Sequence, residues 1–206
     1  MSNPAPQEGT TPASPGRPRQ AYVEAAVLNA ARARLARDGY ARTTIGAIAA
    51  DAGVTRPTVY RRWASKADLI TAAIADITTT PEPPASGDSR ADLLTELRAL
   101  YASLAARDTL GLIGAVLAEE QHNPDLLALF RTRLLEPRLV RIRSVLEAGI
   151  AHGTLLPDLD LEAVCDMLAG SFLAAHLNTG SLPADLPERL TRTLWPALKS
   201  VNVSID

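Results

Sequence analysis

The chain has 206 residues, of which 47% are hydrophobic and 4% aromatic, so it can bury a core, and peptide and fibrous classes are excluded. Its wealth of alanine and leucine favours helices packed on helices, and we predict an all-α fold. One cysteine, Cys165, and three scattered histidines offer no disulfide pair and no zinc-type spacing. We therefore expect no metal and no other cofactor. The sequence has neither an apolar run of about 20 residues nor a signal-peptide pattern, which predicts a cytoplasmic location.

The charge is divided unevenly along the chain. The whole chain carries −2, but residues 1–80 hold 10 Lys/Arg against 6 Asp/Glu, which gives +4 there and −6 in the remainder. A polyanion such as DNA is a plausible partner for the N-terminal part, because neutralised phosphates supply much of the affinity for DNA. An ordinary uneven surface explains the same charges.

Residues 1–19 are rich in proline, glycine, serine and threonine and contain almost no large apolar side chain. Such a segment buries too little apolar surface to offset the conformational entropy that it would lose on ordering, and we predict a flexible arm. The arm ends in Arg17 and Arg19 on an extended backbone, a form that can enter an A·T-rich minor groove. A tail that only increases solubility is the alternative.

The next segment, residues 20–64, is predicted to be a small helical unit. Apolar residues recur with the helical period over residues 22–37, and Gly39 should end that first helix. A helix-turn-helix is predicted between residues 43 and 62, with one bracing helix and one short helix that can enter a major groove.

Each position of the predicted helix-turn-helix has a mechanical reason. Thr43 is placed to cap the bracing helix, and Gly53 permits the left-handed turn that ends it. Thr55 then caps the short second helix. Ala49 is small enough for the two helices to approach closely, and Val59 fills the angle between them.

The outward side of this motif has the side chains that DNA recognition needs. Arginine reads guanine with two hydrogen bonds, which makes Arg56 the first candidate for base contact, while hydroxyls and free helix N-termini hold phosphates. Thr44 and Lys66 stand at such N-termini. An ordinary helical hairpin with solvated arginines is the alternative. The predicted DNA contacts are Arg17, Arg19, Thr43, Thr44, Thr55, Arg56, Thr58, Tyr60, Arg61 and Lys66.

Residues 65–79 are predicted to form a connecting helix, which Ser65 caps together with Asp68. Residues 80–206 are predicted to form a larger helical domain, which begins with a proline-rich break over residues 80–89. Pro137 should kink or split the third helix of that domain, and Pro196 leaves the course of the last helix open. The helices predicted there are 89–107, 109–121, 124–151, 160–178 and 187–201.

The run from Ala50 to Leu69 resembles the signature of the TetR family of bacterial regulators. The matching residues are Thr55, Thr58, Tyr60, Trp63, Ser65, Lys66 and Leu69, and residues 22–48 fit the same pattern. Pro57 departs from it, because small residues are common there in the family. The resemblance implies a three-helix DNA-binding domain with a helix-turn-helix, followed by a larger C-terminal domain for dimerisation and ligand binding. It thereby implies a homodimeric, sequence-specific transcriptional regulator, a repressor that a small molecule releases from its operator.

Two sets of residues are predicted to carry the functions of the C-terminal domain. Gly170 and Ala174, four residues apart, form a small-residue seam that allows close helix approach. The predicted dimer contacts are Gly170, Ala174, Leu177, Leu194 and Leu198, with an intramolecular core as the alternative. The residues expected around a cavity for an apolar or amphipathic ligand are Tyr101, Leu104, Leu112, Val116, Phe130, Met167 and Phe172. Plain core packing is the alternative for each of them.

The second functional hypothesis is a helical small-molecule-binding or enzymatic protein that binds no operator. The sequence contains no phosphate-binding glycine loop, no nucleophile elbow and no defensible pair of catalytic carboxylates. The Glu119 to His122 cluster lacks partners at metal-ligand spacing. We therefore expect a protein that is not an enzyme.

Overall fold

The computed structural model describes residues 17–78, 85–106 and 109–200, with side chains from residue 20 onward. Most of the predicted arm, residues 1–16, lies outside the described residues. In the described ranges the only β contact is an isolated antiparallel bridge between Leu155 and Lys199, so the all-α prediction is confirmed. The helices are α1 Arg17–Arg42, α2 Ile45–Asp51, α3 Arg56–Tyr60, α4 Lys66–Thr78, α5 Ser89–Ala105, α6 Thr109–Leu117, α7 Pro124–Phe130, α8 Glu136–Ala151, α9 Leu161–Thr179 and α10 Leu186–Leu198.

The first helix is longer than predicted. It begins at Arg17, so Arg17 and Arg19 lie in its first turn and the extended backbone predicted for them is wrong. Pro18 fits such a turn because the first helical residues need no N–H partner. Gly39 breaks the helical geometry with φ 72° and ψ 172°, as its sequence position indicated, and the chain then continues helically to Arg42.

Thr44, and not Thr43, caps α2. The Thr44 hydroxyl accepts a hydrogen bond from the Ala47 amide at 3.2 Å. Thr43 is 1% exposed and donates to the Gly39 carbonyl at 2.7 Å, so its predicted roles as cap and DNA contact are both wrong. Two adjacent threonines are equally suitable by sequence, and the kink at Gly39 decides which of them turns inward.

The N-terminal core joins the two parts of the chain. Helices α1 to α4 contribute its centre, and α6 and α7 add four side chains to the same cluster: Leu112, Val116, Leu126 and Phe130. Arg32 also donates to the Ala73 carbonyl at 2.6 Å and to Asp76 at 2.9 Å, which fixes α1 on α4. The unit formed by α1 to α4, which is the predicted DNA-reading unit, is thus packed directly against α6 and α7, in addition to its covalent link through α4.

The C-terminal core lies between α5, α8, α9 and α10. Its members include Leu97, Leu146, Leu168, Phe172 and Leu198. Among the described residues no single helix has the length and apolar character to cross a membrane. Helices α5 and α6 together reach that length and apolar character, but the pair is bent by 81° at the break between them.

The long helix predicted for residues 124–151 is split, as Pro137 indicated. A π-helical turn, Arg131–Leu135, separates α7 from α8, and Pro137 lies in the first turn of α8. Single π turns inside helices are frequent at functional positions. Pro196 is accommodated inside α10, which continues to Leu198.

Gly149 lies where α8 meets the turn that follows it. A Cβ atom at this position would lie 2.7 Å from Cδ1 of Leu155 and 3.1 Å from Oγ of Ser89. We expect Gly149→Ala to lower the free energy of unfolding by about 1–3 kcal/mol, because overpacking outweighs the better helix propensity of alanine. Urea denaturation measures this change.

Gly114→Ala in α6 is the matched control, since apart from the adjacent residues and the backbone of its own helix no heavy atom lies within 4 Å of its added Cβ. It should be neutral or stabilise the protein by about 0.5–1 kcal/mol. Equal effects of the two substitutions would contradict the close packing at Gly149.

Candidate nucleic-acid interface and C-terminal cavity

Helices α2 and α3 form the predicted helix-turn-helix. Gly53 has a φ of +66°, and the amide of Val54 donates to the Ala49 carbonyl at 2.9 Å, which closes the turn. Ala49 is 2% exposed and Val59 is fully buried. Both side chains are therefore buried, as expected for a small residue at the close approach of two helices and for a residue that fills the angle between them. The motif therefore has the geometry expected from the sequence.

The predicted reading face lies on the open side of α3. Thr55, Arg56, Tyr60 and Arg61 are exposed, while Thr58 is half-buried. Thr55 stands at the N-cap position of α3 without a side-chain cap bond, and its hydroxyl instead pairs with that of Thr58 at 3.0 Å. The structure thus brings five of the predicted contacts together on one short helix.

Gly46 is a residue of this site that the sequence reasoning missed. A Cβ atom on Gly46 would lie 2.6 Å from Nε and 2.7 Å from Cζ of Arg56. Only glycine therefore lets the Arg56 guanidinium lie across α2 in this conformation. An isolated glycine inside a short helix was the available signal, because it lowers helix propensity and usually has a packing reason.

The Lys66 ammonium is partly engaged in contacts within the protein. It donates to the Tyr40 carbonyl at 2.9 Å and lies 3.8 Å from the centre of the Tyr40 ring. Burial lowers the pKa of Lys66, and Glu119 opposes that shift. An ammonium has three donors, so this bond holds the end of α1 and leaves hydrogen-bonding capacity for a phosphate.

An ion pair holds α2 against α1. Arg34 donates from Nε and Nη2 to the two carboxylate oxygens of Asp51, at 2.6 and 2.8 Å. The hydrogen bond from Arg34 lowers the pKa of Asp51, so the pair stays ionised around neutral pH. Its two-pronged geometry fixes the orientation of the helix that supports the reading face.

A cavity of about 80 Å³ lies between α4, α5, α8 and α9. Of the residues predicted to surround a ligand, Leu104 and Phe130 line it, and Tyr101 lies with Leu104 in a separate open depression beside α6. The remaining predictions are wrong for this cavity. Leu112 and Val116 belong to the N-terminal core, Phe172 is buried in the C-terminal core, and Met167 is 53% exposed on α9.

Helix α9 carries an exposed apolar face, which consists of Met167, Gly170, Leu173, Ala174 and Leu177. Leu177 is 74% exposed, and apart from the adjacent residues and the backbone of α9 itself no heavy atom lies within 4 Å of a Cβ added at Gly170. The predicted dimer contact Leu198 is wrong, because this side chain is 6% exposed within the protomer core. Leu194 is half-buried against the same core.

Comparisons with known proteins agree with this architecture. The model of bacterial regulatory proteins of the tetR family matches residues 27–73, and that of the tetracyclin repressor-like C-terminal domain matches residues 83–194. The chain belongs to the TetR family. This TetR-family chain is a DNA-binding transcriptional regulator with a helix-turn-helix.

Individual relatives align with most of this chain. The HTH-type transcriptional regulator YdeS of Bacillus subtilis is 32% identical over 166 residues, which are 80% of this chain and 83% of that protein. The DNA-binding transcriptional repressor TetR of Mycobacteroides abscessus is 30% identical over 158 residues, 76% of this chain and 82% of its own length. The structure of the flavonoid-responsive regulator FrrA has the same fold, with a TM-score of 0.68 and 22% identity over 89% of this chain and all of that one.

Proposed function

We propose that this TetR-family regulator binds an operator as a symmetric homodimer and inserts α3 of each subunit into the major groove. The observation that carries the proposal is the exposed face of Thr55, Arg56, Tyr60 and Arg61 on a helix held by a buried frame. Arg56 reads a base, and the hydroxyls position the backbone. Thr58 completes that face from its half-buried position.

The neighbouring helix N-termini supply the phosphate contacts in this proposal. Thr44 is exposed at the start of α2, and Lys66 retains free donors at the start of α4, where the amides and the helix dipole attract anions. Arg17 and Arg19, in the first turn of α1, add positive charge for neighbouring phosphates in this proposal.

Dimerisation is proposed through the exposed apolar face of α9. Gly170 and Ala174 allow two α9 helices to approach closely, and Leu177 would be covered by the partner. One helix-turn-helix contacts a single half-site, so two copies give useful affinity and match a two-fold operator.

Release from the operator by a small molecule is proposed at the cavity beside α4. The relative in M. abscessus is named a repressor and FrrA is named flavonoid-responsive, which favours repression relieved by a ligand. Leu104 and Phe130 offer the ligand an apolar surface, and a ligand there would bias α4, which leads directly into the DNA-reading unit. The proposal assigns a cytoplasmic, regulatory role and no catalysed reaction.

A salt titration tests the proposed DNA binding. The affinity of the full-length protein for the duplex upstream of its own gene is measured by fluorescence anisotropy between 50 and 200 mM salt, where several phosphate contacts should cost about 10³-fold or more. A shuffled duplex of equal length and composition is the control, and it should bind about 10³-fold more weakly at physiological salt. Equal affinity for both duplexes, or affinity that ignores salt, would contradict the proposal.

A further inference from the structure

Arg138 projects from the first turn of α8 into the wall of the cavity beside α4. Its Nη1 donates to the Ala99 carbonyl at 3.2 Å, and its Nη2 donates to the Thr78 carbonyl and to Oγ of Ser103. All three partners are neutral. Among the residues that the structure describes, no carboxylate oxygen lies within 4 Å of this guanidinium.

A second arginine of α8 differs from Arg138 in having a direct ion pair with a carboxylate. Arg141, one turn further along α8, lies 3.2 Å from the carboxylate of Glu96. Arg138 makes no direct ion pair in the described residues. Burial lowers its pKa, the nearby Arg141 acts in the same direction, and Glu96 opposes the shift from a distance. Partly buried charges are usually paired, because taking an ion out of water is costly. The cavity wall thus contains a positive charge whose hydrogen-bond partners are all neutral and whose one stabilising carboxylate, Glu96, is already paired with Arg141.

The other walls of the cavity are mainly apolar. They are formed by Ile74, Leu100, Leu104, Phe130, Leu134 and Leu139. A ligand that complements both the positive charge of Arg138 and these apolar walls has an apolar body and an anionic head. Arginine is suited to a planar carboxylate, because its fork of donors matches the two carboxylate oxygens.

We infer that this cavity takes a small organic carboxylate, whose head group pairs with Arg138 and whose apolar body lies between α4, α5 and α8. This inference deepens the proposed ligand response and rests on it. It names the chemical class of the ligand and the residue that recognises the charge.

The same arginine gives the ligand a route to the DNA-reading unit. Thr78 is the last residue of α4, so Arg138 places a positive charge on the carbonyl end of that helix. Arg133, in the π-helical turn, pairs with Asp68 in the first turn of α4. Both ends of α4 are therefore held by arginines of one short segment of the chain.

A carboxylate in the cavity competes with the Thr78 carbonyl for Arg138. The bond to a charged acceptor is stronger than that to a neutral carbonyl, so the guanidinium turns to the ligand and the end of α4 loses one of its anchors. The Ser103 hydroxyl still donates to Thr78 at 2.9 Å. The cavity of about 80 Å³ is smaller than the roughly 300–1,000 Å³ of typical ligand pockets, so entry itself requires the walls to move.

Calorimetry on the full-length protein without DNA tests the assignment. The probes are hexanoate, octanoate and decanoate, each compared with the 1-alkanol of the same chain length. We expect at least one acid to bind about 10- to 100-fold more tightly than its alcohol, the effect of a charge-assisted hydrogen bond. Hydrogen exchange in the last turn of α4 should rise with that acid and stay unchanged with the alcohol.

Three variants separate charge recognition from structural damage. Arg138→Gln should lose the preference for the acid and keep the affinity for the alcohol. Arg138→Lys should keep part of the preference, which decides the matter if the glutamine variant fails to fold. Arg131→Gln removes an exposed arginine outside the cavity lining and should change neither affinity.

The assignment is overturned if no acid binds, if acids bind no better than alcohols, or if Arg138→Gln retains the acid preference. Unchanged hydrogen exchange in α4 upon acid binding would overturn the coupling. Failure of the proposed function is distinguishable, because a protein that prefers the acid but does not bind or release promoter DNA contradicts the regulatory proposal and leaves the role of Arg138 intact.

Discussion

Replacing Arg56 by alanine is expected to cost about 2–6 kcal/mol of operator-binding free energy. Each two-pronged contact with a guanine contributes about 1–3 kcal/mol, and a symmetric dimer loses one contact in each half-site. The side chain is exposed at the start of α3 and rests across Gly46 without an ion pair in the described residues, so its removal should leave the thermal midpoint nearly unchanged. Fluorescence anisotropy with the upstream duplex measures the loss.

Two further variants make the assignment of Arg56 specific. Arg56→Lys keeps the charge but not the fork of donors, so it should lower the affinity for the operator while the dependence on salt stays close to that of the wild type. Arg90→Ala removes an exposed arginine at the start of α5, outside the helix-turn-helix, and should have little effect. A uniform loss of affinity for operator and shuffled DNA in Arg56→Ala would instead make Arg56 a phosphate contact.

Replacing Leu177 by glutamate is expected to convert the proposed dimer into a monomer. Leu177 is 74% exposed in the protomer, so the substitution costs little folding free energy. In the dimer, two symmetry-related glutamates would be buried without counter-charges, each at a cost of about 3–5 kcal/mol. Light scattering coupled to size-exclusion chromatography measures the mass, and operator affinity should fall together with it.

Tyr22→Glu provides the matched control for Leu177→Glu. Tyr22 is 77% exposed on α1, so both substitutions place a carboxylate on an equally open apolar side chain. The Tyr22 variant should keep the mass of the dimer. If the wild type is itself monomeric, or if Leu177→Glu remains dimeric, α9 does not form the interface.

The sequence could predict the helix-turn-helix because its determinants are local. Gly53 permits the left-handed turn, Ala49 and Val59 sit at fixed spacings on two short helices, and the spaced residues from Thr55 to Leu69 match a family pattern. The structure agrees at each of these positions. Where two neighbours were equivalent, as with Thr43 and Thr44, the local pattern could not choose between them.

The candidate ligand and dimer residues were harder to predict, because apolar periodicity marks a helix face without saying what covers it. Leu112 and Val116 have the spacing of a cavity wall and the same spacing as a core face, and they pack against the DNA-reading unit. Leu198 was expected at an interface between subunits and lies in the core of the protomer. Only the packing of distant helices separates these cases.

The sequence by itself determined the helical class, the position of the reading helix and the residues on its outer side, since all of these follow from interactions within a few residues. Tertiary structure decided which apolar faces meet and where the charge in the cavity comes from. Arg138 lies 60 residues from Thr78 and 35 from Ser103 along the chain. Such contacts depend on how whole helices pack, and no local pattern of residues encodes them.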